Sequence, residues 1–74
     1  MKPDIAKNAI AANIHALAAI LDTATLRVAE SLAAISDGEQ NQAIGCLIDL
    51  EEQLQNALAL HRAALTIHRE ARAS

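Results

Sequence analysis

Helix-breaking residues are almost absent from this chain. Between Pro3 and Gly38 the sequence contains no other proline or glycine, and apolar residues recur at the three- and four-residue spacing of one helix face. The segment Ser36-Asp37-Gly38-Glu39 is the strong turn signal, because Gly adds backbone freedom and Ser-x-x-Glu is a capping-box spacing for a second helix. The sequence therefore predicts two long helices joined by a short turn.

The composition supports an all-α fold. The 74 residues include eighteen Ala, ten Leu and eight Ile, with no Phe, Tyr or Trp, and this is a composition typical of helices. Two Gly, one Pro and one Cys exclude a strand-and-turn fold, a disulfide framework and a zinc site built on cysteines.

The helix boundaries follow from local signals. Pro3 suits the first position of a helix, and Asp4 suits the helix dipole in the first turn. A short turn makes consecutive helices antiparallel neighbours, as in a two-helix hairpin. A break in the first helix at Asp22-Thr23 is the alternative, since both residues can cap a helix. The prediction is a single helical-hairpin domain, 1–74, with a helix at about 3–36, a turn at about 36–39 and a helix at about 39–70.

The apolar positions form a wider arc than one helix–helix contact covers. A chain this small buries only about 60% of the surface that its unfolded form exposes, so pairing two hairpins into a four-helix bundle is the expected remedy. We therefore predict a homodimer. Its expected core is Ile10, Ile14, Leu17, Leu21, Val28 and Leu32 from the first helix and Ile44, Leu47, Leu54, Leu58 and Leu65 from the second.

Charge is distributed unevenly along the predicted hairpin. Six acids and one cation lie near the turn: Glu30, Asp37, Glu39, Asp49, Glu51, Glu52 and Arg27. Five cations and two acids lie near the open end: Lys2, Lys7, Arg62, Arg69, Arg72, Asp4 and Glu70. An antiparallel dimer brings each turn beside the other chain's open end, so opposite charges meet. The charge pattern favours the antiparallel orientation.

Two histidines of the second helix are candidate metal or haem ligands. His61 lies in the middle of the predicted inner face, and His68 lies seven residues further on, opposite Ile14 and Lys7 respectively. Neutral imidazole in a bundle can bind a metal. Metal sites in bundles typically show Glu-x-x-His or two His four residues apart, and this spacing is absent, so we predict no metal and no cofactor.

Two further side chains near the apolar arc have simpler interpretations. Glu51 is expected to be a boundary residue whose carboxylate reaches water or Arg27, because a buried carboxylate without a partner is costly. Cys46 is expected to be a small apolar filler.

His15 is expected to point outward from the first helix. The segment His15-Ala16-Leu17-Ala18-Ala19-Ile20-Leu21 resembles the phospho-accepting segment of sensor-kinase dimerisation hairpins, and this resemblance implies phosphotransfer through His15. In that family an acid, a basic residue and a proline follow the histidine. Here Ala16, Ala18 and Ile20 take their places.

Four segments carry a second resemblance: Leu26-Arg27-Val28-Ala29-Glu30-Ser31-Leu32, Asp37-Gly38-Glu39-Gln40, Cys46, and Asp49 to Leu54. Over residues 26–60 the chain is similar to the Rop-type plasmid proteins, and also to hairpins of small bacterial proteins of no assigned function. The Rop resemblance implies an antiparallel dimeric four-helix bundle that binds RNA loop complexes. That family's RNA face surrounds an aromatic residue, whereas this chain has Lys7, Asn8 and His15 and no aromatic.

The function expected from these features is non-enzymatic, because no catalytic constellation or phosphate-binding glycine loop is present. We predict an interaction and dimerisation module that binds a protein partner, with Leu26, Leu60 and Ile67 as the candidate partner surface. The alternative is RNA or DNA binding through the basic open end, at Lys2, Lys7, Arg62, Arg69 and Arg72.

The charge and the N-terminal sequence bear on location. A net charge of −3 argues against a general nucleic-acid or anionic-membrane binder. The segment Met1-Lys2-Pro3-Asp4 lacks the features of a signal peptide, and no apolar run of eighteen residues is free of polar groups. We expect a cytoplasmic protein that does not contact a membrane.

Overall fold

The computed structural model describes residues 2–73 as two α-helices packed side by side. Helix α1 spans Pro3–Ser36 and helix α2 spans Gln40–Ala73. The molecule is an elongated hairpin of 55 × 14 × 12 Å, the length expected for helices of 34 residues at about 1.5 Å per residue. The predicted all-α two-helix hairpin is confirmed.

Helix α1 is continuous, so the alternative of a break at Asp22-Thr23 is wrong. The Thr23 hydroxyl donates to the Ala19 carbonyl at 3.2 Å, and a hydroxyl bonded within its own helix does not cap a new one. Helix α2 extends to Ala73, three residues beyond its predicted end.

The turn is built by glycine at the end of α1. Gly38 has a φ of 80°, a left-handed conformation that favours glycine. The Glu39 amide donates to the Ala34 carbonyl at 2.8 Å and the Gly38 amide to the Ile35 carbonyl at 3.2 Å, which together form a Schellman motif. Ser36 is the last residue of α1.

The predicted capping box of α2 is therefore corrected. The Ala43 amide donates to the Glu39 carbonyl at 3.0 Å, so Glu39 is the residue that precedes the first turn of α2. Ser36 lies too early in the chain to cap that helix.

The helices contact each other along a line that we call the seam. Its residues are buried or half-buried and recur at alternating intervals of three and four, as in a coiled coil. They are Ala6, Ile10, Asn13, Leu17, Ile20, Ala24, Arg27, Ser31 and Ala34 of α1 and Ala43, Cys46, Leu50, Gln53, Ala57, Leu60, Ala64, Ile67 and Ala71 of α2.

A hydrogen bond fixes the register of the two helices near the turn. The buried Ser31 hydroxyl donates to the Ala43 carbonyl at 2.9 Å, so residue numbers that face each other sum to about 74. The bond needs a close approach of the two helices, which small side chains such as Ala34 and Ala43 permit.

The seam lies one residue away from most of the predicted core. Of the eleven predicted core residues, Ile10 and Leu17 lie in the seam, while the other nine are between 44% and 65% exposed. The contact within one chain is formed by the stripe with the smaller side chains, so those nine do not pack between α1 and α2 of the same hairpin. Their packing between two chains stays a prediction.

Candidate interaction face

One side of the hairpin is covered by large exposed apolar side chains. On α1, Ile14, Leu21 and Val28 each follow a seam residue by one position, and one position is a rotation of about 100° around the helix. We call this surface the open face. Its apolar residues are Ile14, Leu21, Val28, Leu32 and Ile35 of α1 and Ile44, Leu47, Leu54, Leu58 and Leu65 of α2.

The two helices contribute to the same side. Ile14 of α1 and Leu65 of α2 line one groove of about 290 Å³. No described side chain of residues 2–73 is fully buried, and five of the seven buried apolar residues are alanines: Ala6, Ala24, Ala34, Ala43 and Ala57. The helices of the hairpin therefore contact each other closely without a core of large side chains. The large apolar side chains lie on the open face instead.

A second groove, of about 500 Å³, lies at the open end of the hairpin. Its lining residues include Ile10 and Ile14 of α1, Ala71 of α2, and the cations Lys7 and Arg72. The lining is mostly apolar and includes two cations.

The two candidate ligand histidines of α2 line the two grooves. His61 lines the groove of about 290 Å³ together with Ile14, and His68 lines the larger groove together with Lys7. Among residues 2–73 there is no group of three or more His, Cys, Asp or Glu placed to hold a metal ion. His15 is exposed on α1, and phosphotransfer through it stays a prediction.

Glu51 is exposed and belongs to a regular row on α2. The row consists of Ile44, Leu47, Glu51, Leu54, Leu58, His61, Leu65 and His68, at alternating intervals of three and four residues. Arg27, the expected partner of Glu51, instead donates from Nη1 to Oε2 of Glu30 at 3.3 Å. The carboxylate of Glu51 thus lies in an apolar row of the open face.

The three residues of the candidate partner surface differ in their exposure. Leu26 is 66% exposed, as a surface residue requires. Leu60 and Ile67 are half-buried members of the seam, so they pack against α1, and their prediction as free partner surface is corrected. Ile48 is also 66% exposed, but it was not predicted as part of the partner surface. Its position two residues before the seam residue Leu50 places it on the outer side of α2, and this spacing could have indicated its exposure.

The basic residues of the open end, which are the nucleic-acid candidates, are exposed: Lys2, Lys7, Arg62, Arg69 and Arg72. Lys7 and Arg72 flank the apolar groove of about 500 Å³ rather than a polar surface. Nucleic-acid binding stays a prediction. Cys46 is free and buried in the seam, as expected of an apolar filler.

Helix α1 is long and apolar enough to meet the length and composition criteria for a membrane-spanning helix. It contains an 18-residue stretch with a mean hydropathy of 1.4, of which 6% is buried in the hairpin. Core helices of soluble proteins and signal sequences meet the same criterion. The cytoplasmic location and the absence of membrane contact stay predictions.

Comparisons of this chain with protein-family models, with curated proteins and with solved structures find no match. The resemblances to Rop-type proteins and to sensor-kinase hairpins therefore stay predictions, and the open face is interpreted from its own geometry.

Proposed function

We propose that this chain is a non-enzymatic self-association module in which two hairpins pack their open faces together as an antiparallel four-helix bundle. The observation that carries the proposal is the open face itself, a surface of ten large apolar side chains along one side of the hairpin. Contiguous apolar surfaces of this kind mark sites of association.

The exposed area supports the same conclusion. The hairpin exposes 5507 Å², whereas a compact monomer of 7.8 kDa exposes about 4,400 Å². The excess of about 1,100 Å² per chain is close to the roughly 800 Å² that each partner buries in a stable interface. A second copy of the chain offers an apolar face of the same length.

Charge supports the antiparallel orientation. In that orientation the turn of one chain, with Asp37 and Glu39, meets the open end of the other, with Lys7 and Arg72 beside its groove. A parallel pair would bring acid to acid at one end and cation to cation at the other. Binding of a further protein through Leu26, on the outer side, stays a prediction.

Energy transfer between labelled chains tests the association and its orientation. Cys46→Ala removes the native thiol, and Gln40→Cys or Ala73→Cys then places one label at either end of α2. In an antiparallel dimer a donor at position 40 lies near an acceptor at position 73 of the other chain, and two labels at position 40 lie about 50 Å apart. We expect efficient transfer for the 40–73 pair and little for the 40–40 pair.

The reverse result would contradict the antiparallel orientation. An absence of transfer from both pairs at micromolar concentration would contradict self-association, provided that circular dichroism shows helical chains.

A further inference from the structure

The row on α2 is symmetric about the middle of that helix. Helix α2 spans Gln40–Ala73, so its midpoint lies between residues 56 and 57. Glu51 lies 11 residues after the first residue of α2, and His61 lies 12 residues before the last. Two copies of α2 that run antiparallel with their ends aligned therefore bring these two residues to within one residue, about 1.5 Å, of the same level.

The same alignment places the row of one chain opposite the row of the other chain. In an antiparallel bundle each helix lies beside helices that run the other way, so α2 of one copy lies beside α2 of the other. The row residues then form four cross-chain pairs, and the two members of each pair lie at nearly the same level: Ile44 with His68, Leu47 with Leu65, Glu51 with His61, and Leu54 with Leu58. Three of these pairs have at least one apolar member.

Glu51 is the acid of this row, and its neighbours along the row, Leu47 and Leu54, are half-exposed apolar residues. Packing a second chain over them would remove water from the Glu51 carboxylate, and a carboxylate that loses water without a partner is strongly destabilising. The imidazole of the partner's His61 can supply an N–H donor to that carboxylate.

We propose that, in the dimer on which the proposed function rests, Glu51 of each chain pairs with the partner's His61 across the interface. The two-fold symmetry makes two such pairs per dimer. They favour the antiparallel orientation, because in a parallel pair α2 lies beside the partner's α1, and Glu51 and the partner's His61 are about 15 Å apart along the bundle axis. The register with the ends of α2 aligned is the one that pairs Glu51 with His61, and a one-heptad slip would place Glu51 opposite the partner's Leu54 or His68 instead.

Exchange of the two residues tests the pairing. In Glu51→His alone, histidine faces histidine in both pairs, and in His61→Glu alone, glutamate faces glutamate. The double variant Glu51→His/His61→Glu restores an acid opposite a histidine in an antiparallel dimer only. In a parallel dimer positions 51 and 61 lie at different levels of the bundle, so the exchange restores no pair. Glu52→His is the matched control, since Glu52 is an exposed acid outside the row.

The dissociation constant of each variant is measured by sedimentation equilibrium, with helicity followed by circular dichroism. We expect each single variant to weaken the dimer about tenfold or more, because each removes the hydrogen bonds between the histidines and the buried carboxylates. The double variant is expected within about threefold of the parent, and Glu52→His likewise.

Two results would overturn the inference. A double variant that dimerises no better than the two single effects combined would refute the pairing, while a dimeric parent would leave the proposed function intact. A parent chain that stays monomeric would refute both.

Discussion

Leu54→Ala removes an apolar side chain at the middle of the open face. Leu54 is 50% exposed in the single hairpin, so a second chain would bury the remaining half. Complete burial of a leucine side chain contributes about 1.5–3 kcal/mol, and the remaining half therefore contributes about 1 kcal/mol. The dimer holds two copies, so the change costs about 2 kcal/mol of association free energy, and unfilled cavities raise this to about 4 kcal/mol.

In binding terms, this loss raises the dissociation constant of the dimer about 30-fold to several-hundred-fold. Sedimentation equilibrium over a range of concentrations measures it. Leu26→Ala is the control, because Leu26 is 66% exposed and lies on the outer side of α1. We expect this control to stay within about threefold of the parent. Equal effects of the two substitutions would refute the assignment of the open face as the interface.

Four further substitutions test the hairpin, each by chemical denaturation at fixed chain concentration. Gly45→Ala should raise the free energy of unfolding by about 1 kcal/mol, because a Cβ there meets nothing within 4 Å. Gly38→Ala should lower the free energy of unfolding by a similar amount, because the φ of Gly38 is positive. A change of the same sign for both substitutions would contradict the left-handed role of Gly38 in the turn. Ser31→Ala should lower it by about 1 kcal/mol through loss of the bond to Ala43, and an unchanged value would show that the bond adds no net stability. Gln53→Leu should raise it by about 1 kcal/mol, because the buried Gln53 Oε1 has no hydrogen-bond partner; a lower value would contradict this.

The helices and the turn could be predicted because their signals are local. Pro3 and Gly38 act through the φ values that their own backbones favour, so the bounds of α1 follow from the sequence alone. The capping role given to Ser36 was wrong because the same residues can end one helix or begin the next. The Schellman bonds of Gly38 and Glu39 decide between the two.

The seam could not be chosen from hydrophobicity alone. The apolar arc of α1 includes both Ile14 and Ile20, and either could face α2. The structure uses the line through Ile20, Ala24 and Ser31, because small side chains let the helices approach closely enough for the Ser31 bond. The larger side chains of the arc are left on the open face, where a second chain can cover them.

The mass of the chain in solution shows whether the open face joins two chains. Sedimentation equilibrium across a range of concentrations and salt should give a helical particle near twice 7.8 kDa, with Leu54→Ala shifting the equilibrium toward the single chain. A parent chain that remains a helical monomer at every concentration would contradict self-association through the open face.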